Sequence, residues 1–222
     1  MNIFRNFIIT FSYYLIGCNG DISNKKNNNQ KNFQKVKIYS VPSSFTFAGE
    51  SIPLDLPDVR ERFDKELHVN SYLHSSTILL LKRARRWLPQ ISEILKSNDI
   101  PEDFKYLPVI ESGLENAISY KRAVGFWQFL APTARENGLT VNNEIDERYD
   151  PIKSTYAAVK YLKKANKKFD NWISSAASYN RGIRGIENSM KSKEMLNIDH
   201  SKVLKIECLQ TARVLPLEKL FT

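Results

Sequence analysis

The chain has 222 residues, a formal net charge of +9 and a hydrophobic fraction of 42%. That is apolar material for one domain of ordinary size with its own core, and the basic balance favours an anionic partner such as nucleic acid, a lipid surface or a wall polymer without choosing among them. The chain has only 2 Cys, and if one of them is modified, a disulfide framework and a cysteine metal site are both excluded.

Arg5 is the only charge before the apolar run from Phe7 to Ile16. That run is too short to span a bilayer and reads as the apolar stretch of a signal peptide. It ends in Leu15-Ile16-Gly17-Cys18, which resembles a bacterial lipobox. The resemblance implies cleavage before Cys18 and a lipid on its thiol; the alternative is a buried N-terminal helix with an incidental Cys. Several acyl chains would anchor stably, each buried methylene adding about 0.8 kcal/mol. Cys208 is then left without a partner and fits a packed apolar residue better than a nucleophile.

Residues 1–17 are thus expected to be a lipoprotein signal peptide and 18–40 a flexible tether, since Ser23 to Asn32 is almost entirely Asn, Lys and Gln. Residues 41–97 are expected to hold an extended, Pro-punctuated segment and then helices. Val59, Phe63 and Leu67 keep helical spacing, and Leu73, Ile78, Leu81, Ala84, Leu88, Ile91 and Leu95 continue it to Lys96. Lys82, Arg83, Arg85 and Arg86 read as a solvated helix face, and Pro89 should kink or split the helix. Pro101-Glu102-Asp103 opens the next helix. Asp150-Pro151 is an N-cap followed by Pro at the first helical position, with Ile152, Thr155, Val159 and Leu162 along one face. Trp172 to Tyr179 makes a short helix stopped by Gly182 and Gly185. No alternation is convincing as strand, so the fold class expected is all-α, with a helical domain over 98–190 and a tail over 191–222.

In the helix from Glu102 to Leu114, Phe104, Leu107, Ile110 and Leu114 form the apolar face. Glu111 stands at its edge. A carboxylate there loses hydration unless it has a partner or a task, and partial burial favours its protonated form, which suits a general acid. By itself this is also the ordinary position of an amphipathic edge residue.

The surrounding text adds to it. Tyr106-Leu107-Pro108-Val109-Ile110-Glu111-Ser112-Gly113 is followed by Ser119, by Ala123-Val124-Gly125-Phe126-Trp127-Gln128-Phe129, by Asp150-Pro151 and by Ala176-Ala177-Ser178-Tyr179-Asn180-Arg181-Gly182. In this order and spacing, from about Asp58 to Ile186, the chain resembles the soluble lytic transglycosylase catalytic domain, a relative of goose-type lysozyme. Within that group it is most similar to the membrane-bound transglycosylases of the D type. The resemblance implies a lysozyme-like helical fold and places Glu111 as the single catalytic acid/base. It implies that Ser112 positions the N-acetylated sugar, and that Gly125, Phe126, Trp127 and Gln128 form a groove motif in which the Gly lets backbone approach the glycan and the Gln supplies hydrogen bonds. It sets the Tyr179 hydroxyl near the acid, with Asn180 beside it. Phe126 and Trp127 replace the usual Leu-Met and should keep the groove wall, while Ser178 and Arg181 replace small Ala neighbours. Other roles fit some of these residues: Trp127 and Phe129 as core, Tyr179 as a core residue with a satisfied hydroxyl, Asn180 as a helix C-cap. Asp150 is read only as a cap.

Ordinary glycosidases use two carboxylates. The near candidate, Glu115, should lie past the helix end at Gly113 and face solvent. The resemblance implies instead that Glu111 acts alone on the bond between N-acetylmuramic acid and N-acetylglucosamine, giving a 1,6-anhydro end. It implies peptidoglycan strands as partner, no cofactor and a monomer at the periplasmic face of a bacterial membrane, the outer membrane being favoured. A hydrolysing muramidase and an inactive wall-binding lipoprotein are the alternatives. No metal is expected, because His68, His74 and His200 have no ligand-like spacing. Nucleic acid is disfavoured by the lipobox and by the lack of an aromatic-basic motif. In the tail, Arg213 to Phe221 only faintly resembles the family's groove-closing helix, and Pro216 would break a helix there at about 3 kcal/mol.

Overall fold

The first element described is a two-stranded antiparallel hairpin, β1 (Thr46–Phe47) and β2 (Glu50–Ser51), with Phe47 opposite Glu50. Its two-residue turn has positive φ at both Ala48 and Gly49, the twist that suits a tight hairpin. The left-handed Ala48 is held there by its N–H, which donates to Asp103 Oδ2 at 2.6 Å. Two-residue strands carry no alternation to read, so this hairpin departs from the all-helical expectation while leaving the class intact. The computed structural model describes residues 40–72 and 74–194. The signal peptide, Cys18, nearly all of the tether and the tail beyond residue 194, with His200 and Cys208, lie outside the described residues.

Among the described residues seven α-helices follow: α1 (Pro57–Tyr72), α2 (His74–Lys96), α3 (Leu107–Ser112), α4 (Ala131–Glu136), α5 (Pro151–Phe169), α6 (Trp172–Arg181) and α7 (Ile183–Glu194). Val59, Phe63 and Leu67 of α1 are buried, as are Ala84, Leu88, Ile91 and Leu95 of α2. Ile78 and Leu81 share that spacing but are exposed. Pro89 neither splits α2 nor ends it. Its missing N–H frees the carbonyl of Arg85, and both residues are exposed, so the freed carbonyl lies at the solvent side of the helix.

The helix expected from Glu102 is two pieces, a 3₁₀ turn (Glu102–Tyr106) and then α3. Pro108 is the cause: without an N–H it cannot bond back to Phe104, so the preceding turn closes tighter. Ser92, Lys96 and Lys105 all donate to the Glu102 carboxylate. The charge-assisted bonds from Lys105 and then Lys96 lower its pKa from 4.5 to about 2, and they join α2 to the turn that feeds α3. Gly113, left-handed at φ 62, ends α3 with its N–H on the carbonyls of Pro108 and Val109.

The α5 cap is as expected: Asp150 Oδ1 accepts from the N–H groups of Ile152 (2.9 Å) and Lys153 (3.0 Å). Asn171 caps α6 in the same way. Gly182 ends α6, but Gly185 does not act as a stop and sits inside α7. The fully buried Ile186, with Ile183 and Met190 against the core, gives α7 an apolar face that outweighs one glycine. α6 packs between α5 and α7, and α5 also packs on α2. Among the described residues no helix is long and apolar enough to cross a membrane.

Candidate active site

Glu111 is the penultimate residue of α3. Leu107, Pro108 and Val109 are buried beneath it, while Glu111 itself is half-buried, the edge position its spacing requires. The next residue, Ser112, ties this end of the helix to the 125–128 loop. Its hydroxyl lies 2.9 Å from the Phe126 carbonyl and 3.1 Å from that of Pro108, and can donate its proton to either.

Tyr179 enters from α6. Its hydroxyl donates to the Trp127 carbonyl at 2.6 Å. Its ring meets those of Tyr161 at 5.2 Å, Phe129 at 5.7 Å and Trp127 at 6.1 Å. Burial of the phenol, and then the negative charge of Glu111, push its pKa well above the ordinary tyrosine value. The two groups are therefore neighbours, and Tyr179 keeps its proton as a fixed donor. Tyr161 supports this arrangement from α5 by donating to the Ser178 carbonyl at 2.6 Å. The structure thus brings together Glu111, Ser112, Tyr179 and the backbone of Phe126 and Trp127.

The 125–128 loop differs from expectation in how it is used. Phe126 and Trp127 are buried, Trp127 with no exposed surface at all. Their side chains do not wall a groove; they are core, and they serve the site through backbone carbonyls. Trp127 Nε1 donates to Thr155 Oγ1 at 2.9 Å, and Thr155 donates to the Pro151 carbonyl, which ties the loop to the first turn of α5. Phe129 is core as well. Gly125 is required by its own backbone surroundings. A Cβ there would lie 1.9 Å from the Arg148 carbonyl oxygen, and its φ is +81. Gln128 Nε2 donates to the carbonyls of Ala117 (2.9 Å) and Gly125 (2.8 Å), so its amide nitrogen staples the loop. Asn180 is exposed one residue before the end of α6; the cap is Gly182, not Asn180.

Two organising residues were not singled out from the sequence. Arg148 is buried and forked onto Asp146 at 2.9 and 2.7 Å, and its remaining nitrogen donates to the carbonyls of Arg122 and Phe129. That bidentate bond holds the Asp146 carboxyl below its usual pKa. Glu50, on β2, accepts from Asn171 Nδ2 and from the backbone N–H groups of Trp172 and Ile173 at the start of α6. An acid three residues before a helix-like run is a recognisable cap, but one arriving from 121 residues away leaves no local mark. Arg83, expected on a solvated face, bonds Glu115 across from α2. Glu115 lies past the end of α3 and is exposed. Glu115, Asp146 and Asp150 thus each have a structural role, in the bond from Arg83, the fork from Arg148 and the cap of α5.

A half-buried carboxylate beside a protonated phenol, on a rigid backbone wall, can give up and take back a proton. Among the described residues no group of three or more His, Cys, Asp and Glu is placed to hold a metal ion.

The Transglycosylase SLT domain family matches residues 90–202. "Membrane-bound lytic murein transglycosylase D" of Escherichia coli (strain K12) is 31% identical over 155 residues, which is 68% of this chain and 33% of that protein. The protein of the same name from a second Escherichia coli strain (O6:H1) matches to the same extent. A "Putative tributyltin chloride resistance protein" of Alteromonas sp. (strain M-1) is 30% identical over 132 residues, 57% of this chain and 63% of the relative. The chain spans about a third of the length of the two Escherichia coli relatives. With its matched stretch covering α3, the 125–128 loop and α6, the chain belongs to the Transglycosylase SLT domain family.

Proposed function

We propose that the protein is a peptidoglycan lytic transglycosylase with Glu111 as its only acid/base. The observation that carries this reading is that Ser112, next to Glu111 in α3, and Tyr179, from α6, bond adjacent carbonyls of the 125–128 loop, those of Phe126 and Trp127. In the first half of the reaction the protonated Glu111 gives its proton to the glycosidic oxygen between N-acetylmuramic acid and N-acetylglucosamine. The C1–O bond breaks, and the substrate's own N-acetyl group supports the positive charge at C1. The Glu111 carboxylate then takes the proton of the C6 hydroxyl as that oxygen bonds C1. The product is a 1,6-anhydro end, and no water is consumed. Ser112, Gln128 and the backbone of the 125–128 loop hold the strand's register, and Asn180, exposed beside Tyr179, is placed to meet sugar hydroxyls.

The names of the Escherichia coli relatives support a membrane-associated enzyme acting on murein. Together with Leu15-Ile16-Gly17-Cys18 they support an enzyme held by a lipid on Cys18 at the periplasmic face; a monomer at the outer membrane is the state proposed. The test of the chemistry is digestion of purified peptidoglycan by the parent and by Glu111→Gln. The amide cannot donate an acidic proton, and a loss of about 10²- to 10⁴-fold is expected. The masses of the products separate the reaction classes, because an anhydro end is lighter than a hydrolytic end by one water. A digest holding only reducing ends would establish a muramidase instead.

A further inference from the structure

The segment between α3 and the 125–128 loop is a small, heavily tied hairpin with an exposed tip. Ile118 bridges Val124, the Ser119 N–H donates to the Ala123 carbonyl at 2.9 Å, and the Ser119 hydroxyl accepts from the Ala123 N–H at 3.0 Å. The Arg122 N–H closes the turn onto the Ser119 carbonyl at 2.9 Å, and Arg148 donates to the Arg122 carbonyl. At the base, the Ala117 carbonyl receives both the Gly125 N–H and Gln128 Nε2. The path from the acid is therefore short and stiff: Ser112 holds Phe126, its loop neighbours Gly125 and Gln128 hold Ala117, and Ala117 starts the hairpin.

The tip has no packing role of its own. Tyr120 is 102% exposed and Ile118 62% exposed, so neither ring nor side chain contributes much buried area to the fold. The flanking Lys121 and Arg122 are also exposed. From Asn116 to Arg135 the chain contains no Asp or Glu, so no acid of this segment neutralises them. An exposed aromatic on a tied backbone turn is a ready contact for a partner with an apolar face and polar edges. The C–H face and hydroxyl rim of a pyranose have that character. Tyr120 lies three residues from Ala117, a reach of about 10 Å at most, so the tip stays close to the 125–128 loop to which Ser112, the neighbour of Glu111, is bonded.

We propose that the Ser119–Arg122 turn is a glycan subsite flanking the acid, in which Tyr120 stacks on a sugar ring of the strand and Lys121 and Arg122 meet carboxylates of its peptide stems. This rests on the reading of the protein as a peptidoglycan-cleaving enzyme. The strand is the occupant that the site's continuity with the 125–128 loop and its uncompensated positive charge both fit.

The experiment measures binding of the full chain to purified peptidoglycan sacculi in the Glu111→Gln background, so that cleavage does not obscure affinity, and KM and kcat in the active background. Tyr120→Ala is expected to weaken sacculus binding about 3- to 10-fold, with the change carried mainly in KM. Tyr120→Trp, which restores a stacking face, is expected to recover binding. Because Tyr120 is fully exposed, the melting temperature should not move. Parent-like affinity and KM in Tyr120→Ala would overturn the subsite, as would equal weakening by Ala and Trp. If Glu111→Gln still clears peptidoglycan like the parent, the functional reading fails instead, and that result is independent of the Tyr120 comparison.

Discussion

At Gly125 the physical demand is local and severe. The backbone is left-handed, and the space a Cβ would take is filled by the Arg148 carbonyl. A peptide oxygen cannot swing aside as a long side chain can, so Gly125→Ala must displace the loop that presents the Phe126 and Trp127 carbonyls. Strain of this kind costs about 1–3 kcal/mol, and thermal unfolding should show a lowered midpoint together with reduced peptidoglycan clearance. An unchanged midpoint would mean that the loop and Arg148 part without cost. The sequence marks Gly125 as special, but its partner stands 23 residues on and cannot be seen from spacing. For the same reason Phe126 and Trp127 read as groove wall when they are core: an apolar residue in a motif looks the same whether it faces a sugar or Thr155. Glu111 was the more legible residue, since its place at the edge of an apolar stripe follows from helical period alone. That it neighbours Tyr179 depends on α6 folding back on the same loop.

Among the elements, α5 is the plainest in the sequence because Asp150-Pro151 is both cap and start signal. The hairpin β1–β2 and the six-residue α4 are the least legible, being too short to show any period. Yet the hairpin is what joins the starts of the two site-bearing segments. Its Ala48 N–H bonds Asp103 in the turn leading to α3, and Glu50 caps α6. Phe47 packs edge-on against Phe104, and Phe104 against Trp172, at 5.3 and 5.4 Å. Glu50→Ala would leave the Trp172 and Ile173 N–H groups without their acceptor and remove an anion from a helix N-terminus. A loss of about 1–3 kcal/mol is expected, read as a lower denaturation midpoint; Glu50→Gln should recover part of it. Full stability in Glu50→Ala would show that Asn171 caps α6 unaided.

For the whole molecule, the family match begins at residue 90, but the packed body begins earlier. Phe47, Ile52, Leu54 and the buried face of α1 belong to the same core as α5 and α6. The mainly helical class was legible because the long helices announce their periods; the way α6 joins the site was not, since the Tyr179–Trp127 bond spans 52 residues. The proposed lipid anchor is a separate property of the chain. Cys18→Ala should shift the protein from the detergent-extracted membrane fraction to the soluble fraction, and membrane retention of that variant would remove Cys18 as the anchor. The central claim is the one-carboxylate reaction at Glu111. Mass analysis of purified peptidoglycan after digestion tests it most directly: the parent should release anhydro-ended fragments and Glu111→Gln essentially none, whereas anhydro products from Glu111→Gln at the parent's rate would contradict it.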